Sequence, residues 1–252
     1  MIKRMEELMY LQDYIVFLAA ILVCMIISGI ASGRVRSMFA KHNNNICYSR
    51  LTGRDTVLRL MNANGVKNIS VGSVRGFLTD HYHPTKAVVN LSESTYSNNS
   101  VAAVAVAAHE MGHVMQKQKG YAFYKLRTAL VPVVNFGTGL AMPLVLVGLL
   151  LDLAVTSADS NIGFYIAMVG VILYGGALLF ALVTLPVELN ASRRAKKMLL
   201  AEGIISDEEL PAVSEVLSAA AMTYLASLLT SLVYFMRFLL RVLTLFGRRN
   251  NR

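Results

Sequence analysis

At 252 residues, with 55% hydrophobic and only 15% charged residues, the chain is unlike a soluble domain, in which about a quarter of residues are charged. The formal net charge of +9 would suit nucleic acid, but the basic residues stand beside apolar runs: Arg34, Arg36 and Lys41; Arg193, Arg194, Lys196 and Lys197; Arg248, Arg249 and Arg252. Positive charge so placed anchors the cytoplasmic side of a membrane protein, and nucleic acid is set aside as a partner.

The first apolar run, residues 14–33, reads "YIVFLAAILVCMIISGIASG", about the length that crosses a bilayer. Glu6, Glu7 and Asp13 oppose Lys3 and Arg4 ahead of it, the wrong charge for a cleaved signal peptide. Residues 1–33 are therefore expected to form an uncleaved membrane anchor. Cys24 lies inside this run as a small hydrophobe; with Cys47 it makes neither a metal spacing nor a disulfide framework.

Residues 34–127 read as a small α+β domain. "DTVLRLMNANGV" has helical spacing closed by Asn64-Gly65. "NISVGSV", "GFLTDHY" and "KAVVNLS" read as short strands, the last expected as an exposed edge able to pair with an extended substrate. "YSNNSVAAVAVAAHEMGHVMQKQKG" opens on Asn and Ser capping residues and continues as an alanine-rich helix to Gly120.

Residues 128–187 hold two uncharged runs, 128–151 and 162–187, each long enough to span. The link "DLAVTSADSN" is acidic and lacks Lys and Arg, whereas Lys125, Arg127 and the basic cluster from Arg193 to Lys197 flank the runs. This predicts a hairpin whose link faces outward and whose ends face the cytoplasm. Residues 188–215 read as a helix that begins at Glu188, the candidate third ligand, followed by a polar segment. In residues 216–252 an apolar run is interrupted by Arg237 and Arg241 and ends in the basic tail "GRRNNR". It reads as a C-terminal span, a run that turns back, or an interfacial helix with snorkelling arginines. The fold class expected is α+β, mainly helical: a multi-pass cell-membrane protein with a small strand/helix domain.

The chemistry centres on "AAHEMGH". On a helix, His109 and His113 lie one turn apart on one face and can meet one metal ion. Glu110 beside that face can take a proton from a water that the metal activates and act as general base at a carbonyl. The competing reading is two solvent-facing helix histidines. A catalytic zinc needs three protein ligands and an open position, and no further His follows at short spacing. Downstream, Asp152 and Asp159 fall on the outward side, and the acids from Glu202 to Glu215 fall in a polar stretch. Glu188 differs: it is the first charge after a long uncharged run and returns to the side of the His helix. An ionisable group there is costly unless paired or metal-bound. Its plainer reading is an interfacial carboxylate pairing with Arg193 or Lys196.

"LTDHYHP", "AAHEMGHVMQ", "VPVVN" and "LPVELNASRRA", in this order over about residues 61–195, make the chain resemble the YugP-type membrane zinc metallopeptidases, and more distantly the HtpX-like membrane proteases. The resemblance implies a gluzincin-like site with His109, His113 and Glu188 on one Zn2+ per chain and Glu110 as catalytic base. Two departures bear on how the ligands are supported. Many gluzincins carry Asp where this chain has Ser192, and the family pattern has Asp at the positions of His83 and Asn190. His81 and His83, with Tyr82, Arg193 and Arg194 as rivals, are candidates for stabilising the transition state, against the plainer reading of cleft-lining side chains.

The function expected is that of a membrane-embedded zinc metalloendopeptidase acting on protein or peptide substrates, membrane proteins included, from a site facing the cytoplasm. The alternative is a membrane scaffold that binds a partner in a membrane assembly and carries a weak or silent metal site. A transporter reading is disfavoured by apolar runs with almost no ionisable residue at mid-depth.

Overall fold

The computed structural model describes residues 2–154 and 162–247. Part of the link expected to face outward, from residue 155 with Asp159, and the tail from Arg248 lie outside the described residues. In chain order the elements are α1 (Ile2–Asn43), α2 (Gly53–Ala63), β1 (Ser70–Val74), β2 (His81–His83), β3 (Val88–Ser92), α3 (Glu93–Tyr96), α4 (Val101–Gln118), α5 (Ala122–Ala154), α6 (Ile162–Ala201) and α7 (Leu210–Gly247). The protein is mainly helical with a small three-stranded sheet. Among the described residues, four helical segments, Ile15–Asn43, Ala122–Gly148, Ile162–Ala201 and Asp207–Thr244, are long and apolar enough to cross a membrane.

The chain divides into two compact units. One is drawn from Met1–Gly29, Leu126–Val183 and Leu225–Arg252. Small residues let α5 and α6 meet backbone to backbone here: a Cβ on Gly148 would lie 2.5 Å from the Gly163 carbonyl oxygen, and one on Gly170 2.6 Å from that of Ala141. Close approach of this kind is how helices associate where lipid leaves no hydrophobic drive between them. Val145, Ala167, Val171 and Val242 pack with Phe164, Phe235 and Phe238. Arg237 and Arg241 do not break α7, which is continuous through both. The Arg237 guanidinium stands 4.9 Å from the centroid of the Phe17 ring, a cation–π contact that accommodates its charge.

The second unit comprises Ile30–Lys125 and Thr184–Tyr224. Thr52 caps α2 by accepting from the Asp55 amide at 3.1 Å, and Gly65 beyond its end sits at φ +63°, the left-handed geometry that suits glycine. Ser100 caps α4 through the Ala103 amide at 3.1 Å. Helix α4 is buried along most of its length, with Ala102, Ala103, Ala105, Ala107 and Ala108 fully enclosed. Its alanines therefore serve close packing as well as helix propensity. Around it gather Val57 and Leu60 of α2, Val89 and Leu91 of β3, Ala195 and Leu199 of α6, and Val213 and Leu217 of α7.

The sheet order is β1-β3-β2, β3 running parallel to β1 and antiparallel to β2. The expectation that "KAVVNLS" is an exposed edge is thereby corrected. Its strand is central because Val89 and Leu91 are wholly buried and both its sides are hydrogen-bonded. In "GFLTDHY" only the end is strand. Gly76 and Leu78 adopt φ of +112° and +54°, and the two Asp80 oxygens accept from the amide and hydroxyl of Ser92, each at 2.8 Å. Pairing starts at His81, opposite Asn90.

Gly112 governs how α4 meets α6. A Cβ there would stand 2.5 Å from the Ala191 carbonyl oxygen and 3.0 Å from two further Ala191 backbone atoms. Backbone cannot yield as a side-chain tip can, so Gly112→Ala is expected to part the helices. The cost should be about 3 kcal/mol, the upper end of ordinary overpacking. Thermal melting in detergent would register it, and an unchanged midpoint would count against this account of the contact.

Candidate metal centre

His109 and His113 share one face of α4, as their spacing dictates, and their rings stand nearly perpendicular with centroids 4.8 Å apart. Glu188 projects to them from α6. Its Oε2 lies 3.2 Å from His109 Nε2 and 3.4 Å from His113 Nε2. One ligand atom from each of the three falls within 4.8 Å of the other two; among the described residues this is the group of that kind. Glu188 is only 2% exposed and lies among buried side chains rather than at the surface.

The donor set fits zinc. Two imidazole nitrogens and one carboxylate oxygen are its ordinary ligands, and donors about 2.1 Å from a tetrahedral ion stand about 3.4 Å apart. The histidine-to-carboxylate separations match this. The far ring nitrogens are also occupied, leaving Nε2 of each ring for the metal. His109 Nδ1 is 3.1 Å from Ser192 Oγ, and His113 Nδ1 is 3.0 Å from Gln116 Oε1. The Gln116 amide is oriented by its own donations, at 2.7 Å to the Val187 carbonyl and 3.1 Å to Asn190 Oδ1. Its Oε1 must then accept from His113. Arg194 Nε in turn donates to Asn190 Oδ1 at 2.7 Å, so a line of hydrogen bonds runs from Arg194 through Asn190 and Gln116 to His113. Such partners fix ring tautomer and orientation.

Glu110 is buried beside His109 on the same helix. Burial pushes its carboxyl upward from the usual range, partly offset by positive charge on His113 and then His109. For His113, burial opposes the charged ring, but the hydrogen bond and charge of Glu188 outweigh it, and its proton affinity is raised. Both follow from enclosing acids and imidazoles together with little water.

The remaining sequence candidates lie elsewhere. His81 Nδ1 donates to the Thr79 carbonyl at 2.9 Å and its Nε2 meets Asn90 Nδ2 at 3.1 Å. His83 Nδ1 accepts from the Lys86 amide at 3.3 Å. Tyr82 packs on the core, with the Lys117 ammonium 5.9 Å from its ring centroid. Arg193 is exposed and lines a separate cavity with Leu189, Lys196 and Ser214. Sequence reasoning passed over Gln116 altogether and noted Asn190 only as a departure. Gln116 sits in "VMQKQKG", which reads as the polar end of a helix, and its place three residues after His113 was the available signal. Tyr124, whose ring centroid is 6.4 Å from that of His113, carried no signal.

Gln116 is fully enclosed, so Gln116→Ala leaves His113 Nδ1 and the Val187 carbonyl without these partners. Zinc affinity should fall about 10- to 100-fold, as read by competition with a chromogenic chelator. Equal affinity would mean that His113 needs no such support.

Comparison with known proteins agrees with the geometry. A family model described as "Putative neutral zinc metallopeptidase" matches residues 16–243. The "Putative membrane protease YugP" of Bacillus subtilis (strain 168) is 43% identical over 221 residues, covering 88% of this chain and 93% of that protein. No solved structure matches the chain. Since the family match runs from within α1 to within α7 and takes in the helices bearing His109, His113 and Glu188, the chain belongs to this zinc metallopeptidase family.

Proposed function

We propose that the protein is a membrane-embedded zinc metalloendopeptidase that holds one Zn2+ per chain and cleaves protein or peptide substrates, membrane proteins among them. The observation that carries this reading is the convergence of His109 Nε2 and His113 Nε2 on one oxygen of buried Glu188, with Glu110 enclosed beside them. His109, His113 and Glu188 are the ligands. When bound, the metal supplies a Lewis acid that polarises the scissile carbonyl and lowers the pKa of water. Glu110 receives the proton of the attacking water on its carboxylate and passes it to the departing amine. Its buried setting suits this shuttle, because burial favours the protonated form that the carboxylate reaches on taking up the proton. Ser192 and Gln116 hold the two imidazoles, and Asn190 and Arg194 hold Gln116. The site faces the cytoplasm, a reading supported by the basic flanks of the apolar runs.

The test is hydrolysis of an unstructured protein such as casein by detergent-purified wild type. Activity is expected to disappear with 1,10-phenanthroline and to return with about one equivalent of zinc. Cleavage indifferent to chelation would end the metalloenzyme reading. Metal-free protein that copurifies stoichiometrically with another membrane protein would put the scaffold reading in its place.

A further inference from the structure

Beside the proposed base lies a cavity of about 160 Å³ that touches both His109 and Glu110. Its walls come from four places in the second unit: Phe39 of α1, Leu78 in the turn before β2, Val106 of α4, and Leu217, Ala220 and Tyr224 of α7. Besides His109 and Glu110, the wall residues with polar side-chain atoms are Tyr224 and Asp80, and both Asp80 oxygens accept from Ser92. No Lys, Arg, Asn or Gln lines the cavity. An anionic group entering it would lose its water against the carboxylates of Asp80 and Glu110, whereas a hydrocarbon group would gain by leaving water. The volume is close to that of an apolar cavity that holds one benzene, about 150 Å³.

We propose that this cavity is the specificity pocket for the residue next to the scissile bond. It admits Leu, Ile, Met, Val or Phe, refuses Asp and Glu, and is too small for Trp. The substrate class is therefore apolar segments, as found in membrane proteins and unfolded chains. The inference rests on the proposed peptidase reading, since a pocket next to Glu110 selects a residue only if a bond is cut there. Ala220 sets the pocket's size: it is half-buried on α7, and a larger side chain there occupies the cavity while remaining remote in sequence from every proposed ligand.

A peptide library digested by zinc-loaded wild type, with cut sites mapped by mass spectrometry, tests this. Cuts should be enriched for Leu, Ile, Met, Val and Phe at one fixed position beside the bond. Ala220→Phe should shift that position to Ala, Ser or Gly and lower kcat/KM on a leucine peptide at least about ten-fold. Tyr224→Ala works in the opposite sense and should admit Trp. Zinc content of each variant establishes that its site has formed. An enrichment for Lys or Arg, no enrichment, or an unshifted profile in zinc-loaded variants of both kinds overturns the pocket while leaving the peptidase standing. No cleavage by zinc-loaded wild type overturns the peptidase reading, and the pocket with it.

Discussion

Replacing Glu188 by Ala should empty the metal site: about one zinc per chain in the wild type and close to none in the variant after passage over a chelating resin. The carboxylate is the donor shared by both rings, and without it α4 offers only two nitrogens. Loss of an outer partner costs zinc sites about 10- to 100-fold in affinity, and loss of a direct donor should exceed that. Glu188→Gln separates charge from shape. It keeps the side chain's volume but offers the metal a neutral oxygen, and should retain a weak site that empties at lower chelator concentration. Equal zinc in wild type and Glu188→Ala, measured by mass spectrometry of the eluted metal, would show that the third ligand lies elsewhere.

The second large effect concerns Glu110. Glu110→Gln should retain zinc, because its carboxylate is not among the three convergent donors. Activity should nevertheless fall by about 10²- to 10⁴-fold, the usual worth of a general acid–base group. Wild-type rates in the variant would remove Glu110 from the mechanism. The same substitution carries a stability signature in chelated protein. Burial raises the Glu110 carboxyl, so the fold favours its neutral form. That contribution is fully present below the unfolded pKa of about 4.3 and is lost as pH rises through the folded value. Glutamine does not ionise, so the variant should melt above wild type at about pH 8, and the gap should close toward about pH 4. A gap that widened on acidification would contradict this assignment of the shift.

What could be read from the sequence was whatever local chemistry decides. The capping serine ahead of α4 and the i,i+4 spacing of its histidines are properties of a few adjacent residues, and the helix follows. Glu188 could be singled out because one carboxylate after a long uncharged run is conspicuous by its cost. What could not be read depended on partners distant in sequence. Gln116 looks like a surface residue until Val187 and Asn190 arrive to enclose it. The "KAVVNLS" strand looks like an edge, because nothing local reveals that β1 and β2 flank it. Arg237 and Arg241 leave a span, a run that turns back and an interfacial helix all open in the sequence; α7 runs on through both, the Arg237 guanidinium lying over the Phe17 ring. Ser192, read as a departure from an expected Asp, stands at hydrogen-bond distance from His109 Nδ1, so a neutral hydroxyl occupies the place where a charge was expected.

Glu188 follows His109 at an offset of seventy-nine positions, and two long apolar stretches lie between them. This imposes an order on biosynthesis. A ribosome that has released α4 has delivered His109, Glu110 and His113, but not Glu188, the proposed third ligand. Glu188 follows only when most of α6 has been translated. Until then the nascent chain, itself rich in unfolded apolar sequence, lacks a complete centre for the proposed cleavage. On the proposed ligand set, the two intervening apolar stretches thus postpone assembly of the centre until α6 has been made.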